Sequence, residues 1–332
     1  MSAGVRIGVV GAGAWGTALA QMLASDGREV LLWAREAELI DEINLRARNP
    51  LYLPDAVLAQ SIRATGELAE MARCELLLLV TPAQHLGATM RAMPAFPRDL
   101  VLCAKGIEAE SGGLLHDVAA RLAPGSDIAV LSGPTFAHEV AAGLPTAVTL
   151  ACGGGGEQWR RLAEAIARPA FRPYYSDDLK GAEIGGAVKN VLAIACGVVE
   201  GLGFGQNARA ALIARGYAEM QRFGEALGAR RETLAGLCGL GDLVLTCSST
   251  ASRNFSLGKA LGEGADPQAL MSDRRTVAEG AHTAPVLVEI ARREAIAMPI
   301  AQAVQSLLEG APARAIATDL LARPLTAEGP GG

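Results

Sequence analysis

Lys189 and Asn190 stand in an otherwise apolar stretch, GGAVKNVLAI at residues 185–194. Read as a helix, residues 182–199 carry apolar side chains around the whole circumference, and such a helix is expected to be buried. No carboxylate lies one turn from Lys189 to pair with it. The lysine therefore either reaches solvent or faces a partner elsewhere. A buried lysine can exchange protons, because burial lowers its pKa.

Asp242 is a candidate for that partner. It lies in the glycine-rich and apolar segment LAGLCGLGDLVLTC, and a buried carboxylate must be paired or hydrogen-bonded. Asp242 would raise the pKa of Lys189, whereas a second lysine such as Lys105 would lower it. Lys105 follows an apolar strand, at an edge where open parallel sheets bind ligands. On its own, a lysine in this position is more often a surface loop lysine.

Two polar motifs could bind an anion. Arg253 and Asn254 follow Ser252 and a run of hydroxyl residues, and together they offer several hydrogen-bond donors to a phosphate or carboxylate. A polar loop with a solvated arginine explains them equally well. The segment SGPT at 132–135 is a small-residue turn at another strand end, and it also fits a turn followed by a helix cap.

A glycine motif opens the chain. The segment IGVVGAGAWGTALA begins as an apolar strand and passes through Gly11, Gly13 and Gly16 into an amphipathic helix. Gly11 permits a tight turn, Gly13 lets the backbone approach a pyrophosphate, and Gly16 lets helix and strand pack closely. A second strand follows, as the dinucleotide-binding fingerprint requires. The sequence therefore predicts dinucleotide binding rather than a purely structural turn.

Arg35 follows the second strand, where the fingerprint would place an acidic residue on a ribose 2′-hydroxyl. A guanidinium at this position suits a 2′-phosphate, which favours NADPH and NADP⁺ as the cofactor. Glu36 is its neighbour and leaves NADH and NAD⁺ open. A solvated arginine at the start of a helix is the alternative interpretation.

These motifs need a scaffold, and the first half of the chain alternates short apolar runs with helical stretches. The predicted strands are residues 5–10, 29–33, 76–80, 100–104, 128–132 and 146–151. This alternation predicts a parallel-rich sheet with right-handed crossovers, covered on both faces. Residues 152–159 and 168–181 are expected to be loop-rich or edge segments. From residue 181 onward helical periodicity dominates, so the second half is expected to be all-helical.

The composition excludes several classes of protein. The net charge is −5 with both signs scattered, so we expect neither a nucleic-acid partner nor a membrane surface. The six cysteines form no Cys-x-x-Cys pair and have no flanking histidines, so we expect no metal site and reduced thiols of a cytoplasmic protein. The first apolar run is too short for a signal segment or a membrane span.

Several motifs occur together in the order and spacing of the NAD(P)-dependent sn-glycerol-3-phosphate dehydrogenases of the bacterial soluble type, a family that this sequence resembles. They are GAGAWGTALA, AKGIEAE, SGPTFAHEVAAGLPTA, IGGAVKNVLAIACG, GLGDLVLTC, SRN and VAEG. The resemblance spans nearly the whole chain, and the joint match is highly specific. It implies reversible reduction of dihydroxyacetone phosphate to sn-glycerol 3-phosphate, which supplies glycerophospholipid synthesis, and a homodimer.

The resemblance also implies the domain plan. An NAD(P)-binding Rossmann-type α/β domain would cover residues 1–178, and an all-α C-terminal domain like that of 6-phosphogluconate dehydrogenase would cover 179–325. Residues 326–332 would be a flexible tail. The length of 332 residues, half of them hydrophobic, independently favours two domains over one.

Residue by residue, the resemblance makes Lys189 the proton donor and acceptor. The groups around the reacting oxygen would be Lys105, Asn190, Asp242 and Thr246. The substrate would be bound by Lys105, Gly133, Thr135, Lys189, Asp242, Ser252, Arg253 and Asn254. The nucleotide would be contacted by Gly11, Gly13, Ala14, Trp15, Gly16, Arg35, Lys105, Ala137, Arg253, Val277 and Glu279. Ala83 and His138 depart from common family choices, at positions outside these sets.

Two alternatives remain. Another two-domain dehydrogenase, acting on a β-hydroxyacid or a sugar acid, would also use an arginine, but the joint presence of GAVKN, GLGDLVLTC and SRN favours the glycerol-3-phosphate family. A non-catalytic NADP(H)-binding sensor would be expected to lose the two lysines and Asp242, which are present.

In the dehydrogenase reaction, the ammonium of Lys189 would stabilise the negative charge that develops on a reduced carbonyl oxygen.

Overall fold

The computed structural model describes residues 6–272 and 278–324. They form two compact units. The first unit comprises residues 6–104 and 113–179, and the second comprises 105–112, 180–272 and 278–324. Residues 105–112 thus group with the second unit, whereas the sequence-based plan placed them in the first domain.

The first unit contains every strand that the described residues form. The strands are β1 (Ile7–Val10), β2 (Val30–Trp33), β3 (Arg48–Asn49), β4 (Leu53–Val57), β5 (Ile62–Thr65), β6 (Leu76–Leu79), β7 (Asp99–Leu102), β8 (Asp127–Ser132), β9 (Thr146–Cys152) and β10 (Phe171–Ser176). Eight of them form one sheet in the order β10-β9-β8-β7-β6-β1-β2-β5. All neighbours in this sheet are parallel except β8 and β9. The predicted parallel-rich, Rossmann-type sheet is confirmed.

The strands that the sequence predicts are the apolar, buried ones, and the strands that it misses are short and mixed in polarity. Each of the six predicted runs appears as a strand with ends shifted by no more than two residues. In β6 four consecutive leucines are all buried, as expected of a strand covered on both faces. The strands β3, β4 and β5 are short and mix polar with apolar residues, so no apolar run marks them. β10, in a segment expected to be loop or edge, forms the edge of the sheet, where Pro173 is tolerated.

Helices cover the sheet in the first unit. They are α1 (Ala14–Leu23), α2 (Ala37–Arg46), α3 (Leu68–Met71), α4 (Ala83–Arg91), α5 (Leu115–Leu122), α6 (Ala137–Ala141) and α7 (Gly155–Ile166). Val9, Leu32 and Leu78, from three adjacent strands, are fully buried in the core of this unit. The segment 152–159, expected to be loop-rich, contains the start of α7, whose buried face includes Leu162.

The described residues after 178 form helices and turns without a strand, as expected. The helices are α8 (Leu179–Gly201), α9 (Gly205–Ala226), α10 (Arg231–Leu234), α11 (Asp242–Thr246), α12 (Arg253–Gly262), α13 (Pro267–Ser272), α14 (Glu279–Arg293), α15 (Pro299–Leu308) and α16 (Ala313–Leu321). A π-helical turn, Leu237–Gly241, directly precedes α11. Such turns are rare and often occur at functional sites.

Helix α8 is the central element of the second unit. It is long and apolar enough to cross a membrane, but 94% of its most apolar 18-residue window is buried inside the fold, which is typical of a core helix. A Cβ on Gly197 of α8 would collide with the carbonyl oxygen of Phe255, and one on Gly258 would collide with that of Ile194. The backbones of α8 and α12 therefore touch, which fixes the start of α12 relative to Lys189.

Candidate active site

The centre of the second unit is a buried cluster of three charged side chains. Lys189 Nζ donates to Asp242 Oδ1 at 2.7 Å and to Thr246 Oγ1 at 2.9 Å. Lys105 Nζ donates to the other carboxylate oxygen, Asp242 Oδ2, at 2.8 Å. The side chain of Asp242 is fully buried, and those of Lys189 and Lys105 are 7% and 13% exposed. The buried carboxylate is thus paired with both lysines.

Two features of the backbone bring Asp242 to α8. Gly185 lies one turn before Lys189, on the same face of the helix, and a Cβ there would collide with the carbonyl oxygen of Cys238. Only a glycine therefore lets the π-helical turn Leu237–Gly241 lie directly against α8. The turn leads into α11, which begins with Asp242 and ends with Thr246. These residues lie four apart, so both side chains reach Lys189.

The environment of Lys189 sets its protonation. Burial is the largest influence and lowers the pKa of its ammonium to about 8. The charge of Asp242 raises this pKa, and the nearby charge of Lys105 lowers it. A lysine with this pKa exchanges its proton readily near neutral pH.

Glu279 belongs to the same unit, at the first position of α14. Burial raises the pKa of its carboxyl group, and the positive charges of Arg253, Lys105 and Lys189 oppose that rise. Glu279 therefore lies within the electrostatic influence of Arg253, Lys105 and Lys189. Val277, predicted to contact the nucleotide with Glu279, lies outside the described residues.

An amide chain joins α8, α12 and α14. Asn254 Nδ2 donates to Asn190 Oδ1 at 3.0 Å, and the backbone N–H of Gly280 donates to Asn254 Oδ1 at 2.9 Å. Both asparagines are buried. Because Asn190 accepts through its oxygen, its Nδ2 group keeps its capacity to donate.

Ser252, Arg253 and Asn254 have different environments although they are adjacent. Ser252 is the N-cap of α12, and its hydroxyl oxygen accepts from the backbone N–H of Phe255. Arg253 is exposed, whereas the amide of Asn254 points inward to Asn190 and Gly280. The predicted donor set is therefore divided: the arginine is accessible, and the asparagine is largely engaged within the protein.

The glycine motif of the first unit has the geometry of a phosphate-binding turn. Gly11 has a φ of +117°, a conformation that favours glycine. A Cβ on Gly16 would collide with the carbonyl oxygen of Gly11, whereas a Cβ on Gly13 would meet nothing within 4 Å. Gly13 is the N-cap of α1 and provides no side-chain cap. The first N–H groups of α1 are therefore free to bind an anion, as the pyrophosphate of a dinucleotide requires.

The residues beside this turn also fit a nucleotide. Ala14 and Trp15 form the first turn of α1, and the buried indole Nε1 of Trp15 has no hydrogen-bond partner among the described residues. Arg35 follows β2, its side chain is 77% exposed, and it pairs with Glu36 at 3.0 Å. An exposed guanidinium beside the turn can bind a phosphate.

Gly133, Thr135 and Ala137 lie at the end of β8 in the same unit. Gly133 follows the last strand residue, Thr135 Oγ1 donates to the carbonyl oxygen of Gly133 at 3.2 Å, and Ala137 begins α6. The buried hydroxyl of Ser132 has no partner among the described residues. These residues and the glycine turn belong to the first unit, whereas the lysine cluster belongs to the second.

Two residues of the first unit contribute to the site without a sequence signal. Asn49, in the short strand β3, is fully buried and binds the glycine turn. The hydroxyl of Tyr52 donates to Glu36 at 3.3 Å, beside Arg35. Both lie in the segment RNPLYLP, which has no apolar periodicity. An asparagine between an arginine and a proline, three residues before a tyrosine, gives no specific sequence signal.

Metal binding has no support within the described ranges, because no three His, Cys, Asp or Glu side chains cluster there as ligands.

A dinucleotide turn on a parallel sheet and a buried lysine–aspartate pair on helices define the class: an NAD(P)-dependent dehydrogenase built from two units. The family models described as the N-terminus and C-terminus of NAD-dependent glycerol-3-phosphate dehydrogenase match residues 6–156 and 178–317. The chain belongs to this family.

Relatives extend the match over the whole chain. A glycerol-3-phosphate dehydrogenase of the NAD(P)⁺ type from Erythrobacter litoralis is 70% identical over 97% of this chain and 98% of its own length. One from Novosphingobium aromaticivorans is 71% identical over 98% of each. The crystal structure of glycerol-3-phosphate dehydrogenase from Coxiella burnetii is 38% identical and superposes with a TM-score of 0.91, covering 96% of this chain and 99% of that one.

Proposed function

We propose that this chain reduces dihydroxyacetone phosphate to sn-glycerol 3-phosphate, and catalyses the reverse reaction, with Lys189 as the residue that gives and takes the proton. Membership of the family makes the chain an NAD(P)-dependent oxidoreductase with this activity. The observation that supports the role of Lys189 is its buried ion pair with Asp242. The pKa of the Lys189 ammonium, about 8, agrees with this role.

In the reductive direction the Lys189 ammonium donates a hydrogen bond to the C2 carbonyl oxygen and then transfers the proton to it. Negative charge develops on that oxygen as the carbonyl is reduced, and fixed cations stabilise it. Lys105 adds a second positive charge, while Asp242 holds both ammonium groups in place. The Nδ2 group of Asn190 would be a further donor toward the substrate. A bound nicotinamide supplies or accepts the hydride.

In the oxidative direction Lys189 must first be neutral, so that its amine can accept the proton of the C2 hydroxyl. A pKa of about 8 leaves a substantial fraction of free amine in mildly alkaline solution. An ordinary lysine would remain almost fully protonated there. Thr246, which accepts from Lys189 and donates to Asp242 at 3.2 Å, keeps the amine oriented in both protonation states.

The phosphate of the substrate is bound by Arg253 at the start of α12. Its exposed guanidinium is accessible, and arginine binds phosphate through paired hydrogen bonds. The N-terminus of this ten-residue helix favours an anion. Asn254 retains one amide hydrogen for the same group, while Gly133 and Thr135 of the first unit contribute further contacts.

For the cofactor, we propose a preference for NADPH over NADH, with both accepted. The residues that would hold it are Gly11, Gly13, Ala14, Trp15, Gly16, Arg35, Lys105, Ala137, Arg253, Val277 and Glu279. The exposed Arg35 would bind the 2′-phosphate, and this supports the preference. Glu36 beside it would accept a hydrogen bond from the 2′-hydroxyl of NADH.

The remaining expectations concern the cellular setting. We propose that the enzyme acts in the cytoplasm as a homodimer without membrane insertion or nucleic-acid partner, and that its product supplies glycerophospholipid synthesis. The homodimer rests on the family resemblance. The domain limits 1–178 and 179–325 and the tail 326–332 belong to the same proposal.

The direct test is the absorbance of NADPH after dihydroxyacetone phosphate is added to the purified protein. Loss of absorbance that requires both protein and substrate is the expected result. Constant absorbance, with NADPH binding demonstrated by fluorescence, would favour a non-catalytic sensor. Faster loss with a β-keto acid than with dihydroxyacetone phosphate would favour a dehydrogenase of another substrate class.

A further inference from the structure

The side chain of Asn49 is hydrogen-bonded both to the glycine turn and to the hairpin formed by β3 and β4. Its Nδ2 donates to the carbonyl oxygen of Ala12 at 2.9 Å and to Thr17 Oγ1 at 2.8 Å. Its Oδ1 accepts from the backbone N–H of Tyr52 at 3.0 Å. The partners fix the orientation of the amide, because a carbonyl only accepts and an N–H only donates.

The bond to Ala12 determines where the next N–H group points. In a planar trans peptide the C=O and N–H groups point in opposite directions. Asn49 and Thr17, whose Oγ1 donates at 3.2 Å, hold the Ala12 carbonyl on the buried side of the turn. The N–H of Gly13 therefore points to the exposed side, where a Cβ would meet nothing within 4 Å. That side is where a phosphate oxygen can approach.

The bond from Tyr52 extends the same network to the opposite end of the nucleotide site. Tyr52 ends the short connection between β3 and β4, and its hydroxyl donates to Glu36 Oε1. The same oxygen accepts from Arg35. One buried amide thus links the phosphate-binding turn to the side chains that would read the 2′ position of the ribose. The contact spans 37 residues, from Ala12 to Asn49.

We infer that Asn49 is a positioning residue for the dinucleotide: it aims the Gly13 N–H group at the pyrophosphate and fixes the hairpin that carries Tyr52. This inference rests on the proposed cofactor role of the turn. The residue itself is fully buried, so it would act through the turn and the connection that it holds.

The test compares Asn49→Ala with Asn44→Ala. Asn44 is a matched control in the same unit, because its amide makes two backbone hydrogen bonds, both to Ala64, and none to the turn. We expect the dissociation constant and the KM for NADPH to rise by about tenfold in Asn49→Ala, as for the loss of one or two buried hydrogen bonds. The kcat and the KM for dihydroxyacetone phosphate should stay within about twofold. Asn44→Ala should lower the thermal midpoint without changing the KM for NADPH.

An unchanged affinity for NADPH in Asn49→Ala, or an equal loss in Asn44→Ala, would overturn the inference. If Asn49→Ala fails to fold, Thr17→Val removes the other donor to Ala12, and its affinity for NADPH should fall in the same direction; unchanged affinity there would also overturn it. NADPH binding is measured by fluorescence without substrate. Absence of turnover in the unsubstituted protein would therefore count against the proposed function and leave the test of Asn49 intact.

Discussion

The ammonium nitrogen of Lys189 lies 2.7 Å from Oδ1 of Asp242, a residue 53 positions further along the chain. A buried ammonium group is costly unless it is paired, and no residue one turn away on α8 could pair with it. The second lysine on the same carboxylate, Lys105, means that Asp242 does not neutralise the cluster. The ammonium groups around Asp242 would stabilise negative charge on a reacting oxygen.

The pH dependence of catalysis should follow the pKa of Lys189, about 8. Reduction needs the ammonium and should decline as the pH rises through this value. Oxidation needs the amine and should decline as the pH falls through it. Asp242 raises this pKa, so Asp242→Asn should move both midpoints to lower pH. The measurement is kcat/KM against pH in both directions; Thr246→Val, which removes a neutral partner, should shift them less. Midpoints that stay in place or rise in Asp242→Asn would contradict this account.

Arg253→Gln should chiefly weaken substrate binding. A hydrogen bond to a charged group contributes about 1.5–3 kcal/mol, so the KM for dihydroxyacetone phosphate should rise by roughly tenfold to a hundredfold with a smaller change in kcat. Arg292→Gln is the control, because Arg292 is an exposed arginine on α14 that pairs with Glu289. A change confined to the preference between NADPH and NADH would show that Arg253 does not bind the substrate phosphate.

Arg35→Asp should shift cofactor use toward NADH. The carboxylate would repel a 2′-phosphate and could accept from a 2′-hydroxyl, so the ratio of kcat/KM with NADPH to that with NADH should fall by about tenfold or more. Arg46→Asp makes the same charge change at the end of α2, where Arg46 pairs with Glu42. An unchanged ratio in Arg35→Asp, or an equal fall in Arg46→Asp, would remove Arg35 as the reader of the 2′ position.

Gly185→Ala should destabilise the second unit and disturb Asp242. The new methyl group collides with the carbonyl oxygen of Cys238, and forcing atoms into a packed core costs about 1–3 kcal/mol. Gly156→Ala in α7 is the matched substitution, since its Cβ would meet nothing within 4 Å; there we expect stabilisation of about 0.5–1 kcal/mol. Thermal denaturation compares the two variants. Equal stability of both would mean that α8 does not need a glycine at this contact.

The sequence predicts those parts of the fold whose burial leaves a pattern. The four leucines of β6 and the apolar circumference of α8 identify buried elements directly. A lysine without a local partner points to a distant one, and Asp242 is recognisable as that partner because its own surroundings are apolar. Lys105 illustrates a limit: the strand that precedes it belongs to the first unit, whereas Lys105 itself belongs to the second, where it pairs with Asp242.

Other contacts leave no periodic pattern in the sequence, because each depends on a single residue that meets a distant segment. Asn49 reaches Ala12 from a two-residue strand, and a single hydrogen bond across 37 positions imposes no periodicity on either segment. The close packing of Gly185 against Cys238 is similar, since a glycine in an apolar helix looks the same whether a backbone touches it or not. Such contacts follow from three-dimensional packing, which local propensity does not encode.

The central claim is that Lys189 carries the proton. Lys189→Met keeps the length and apolar stem of the side chain, and Lys105 still pairs with Asp242, so the fold and the NADPH site should survive. The measurement is kcat for oxidation of NADPH by dihydroxyacetone phosphate, with the NADPH dissociation constant determined in parallel. We predict that kcat falls to below a few per cent while NADPH affinity stays within about twofold. Retention of more than a few per cent of kcat would contradict the assignment of Lys189.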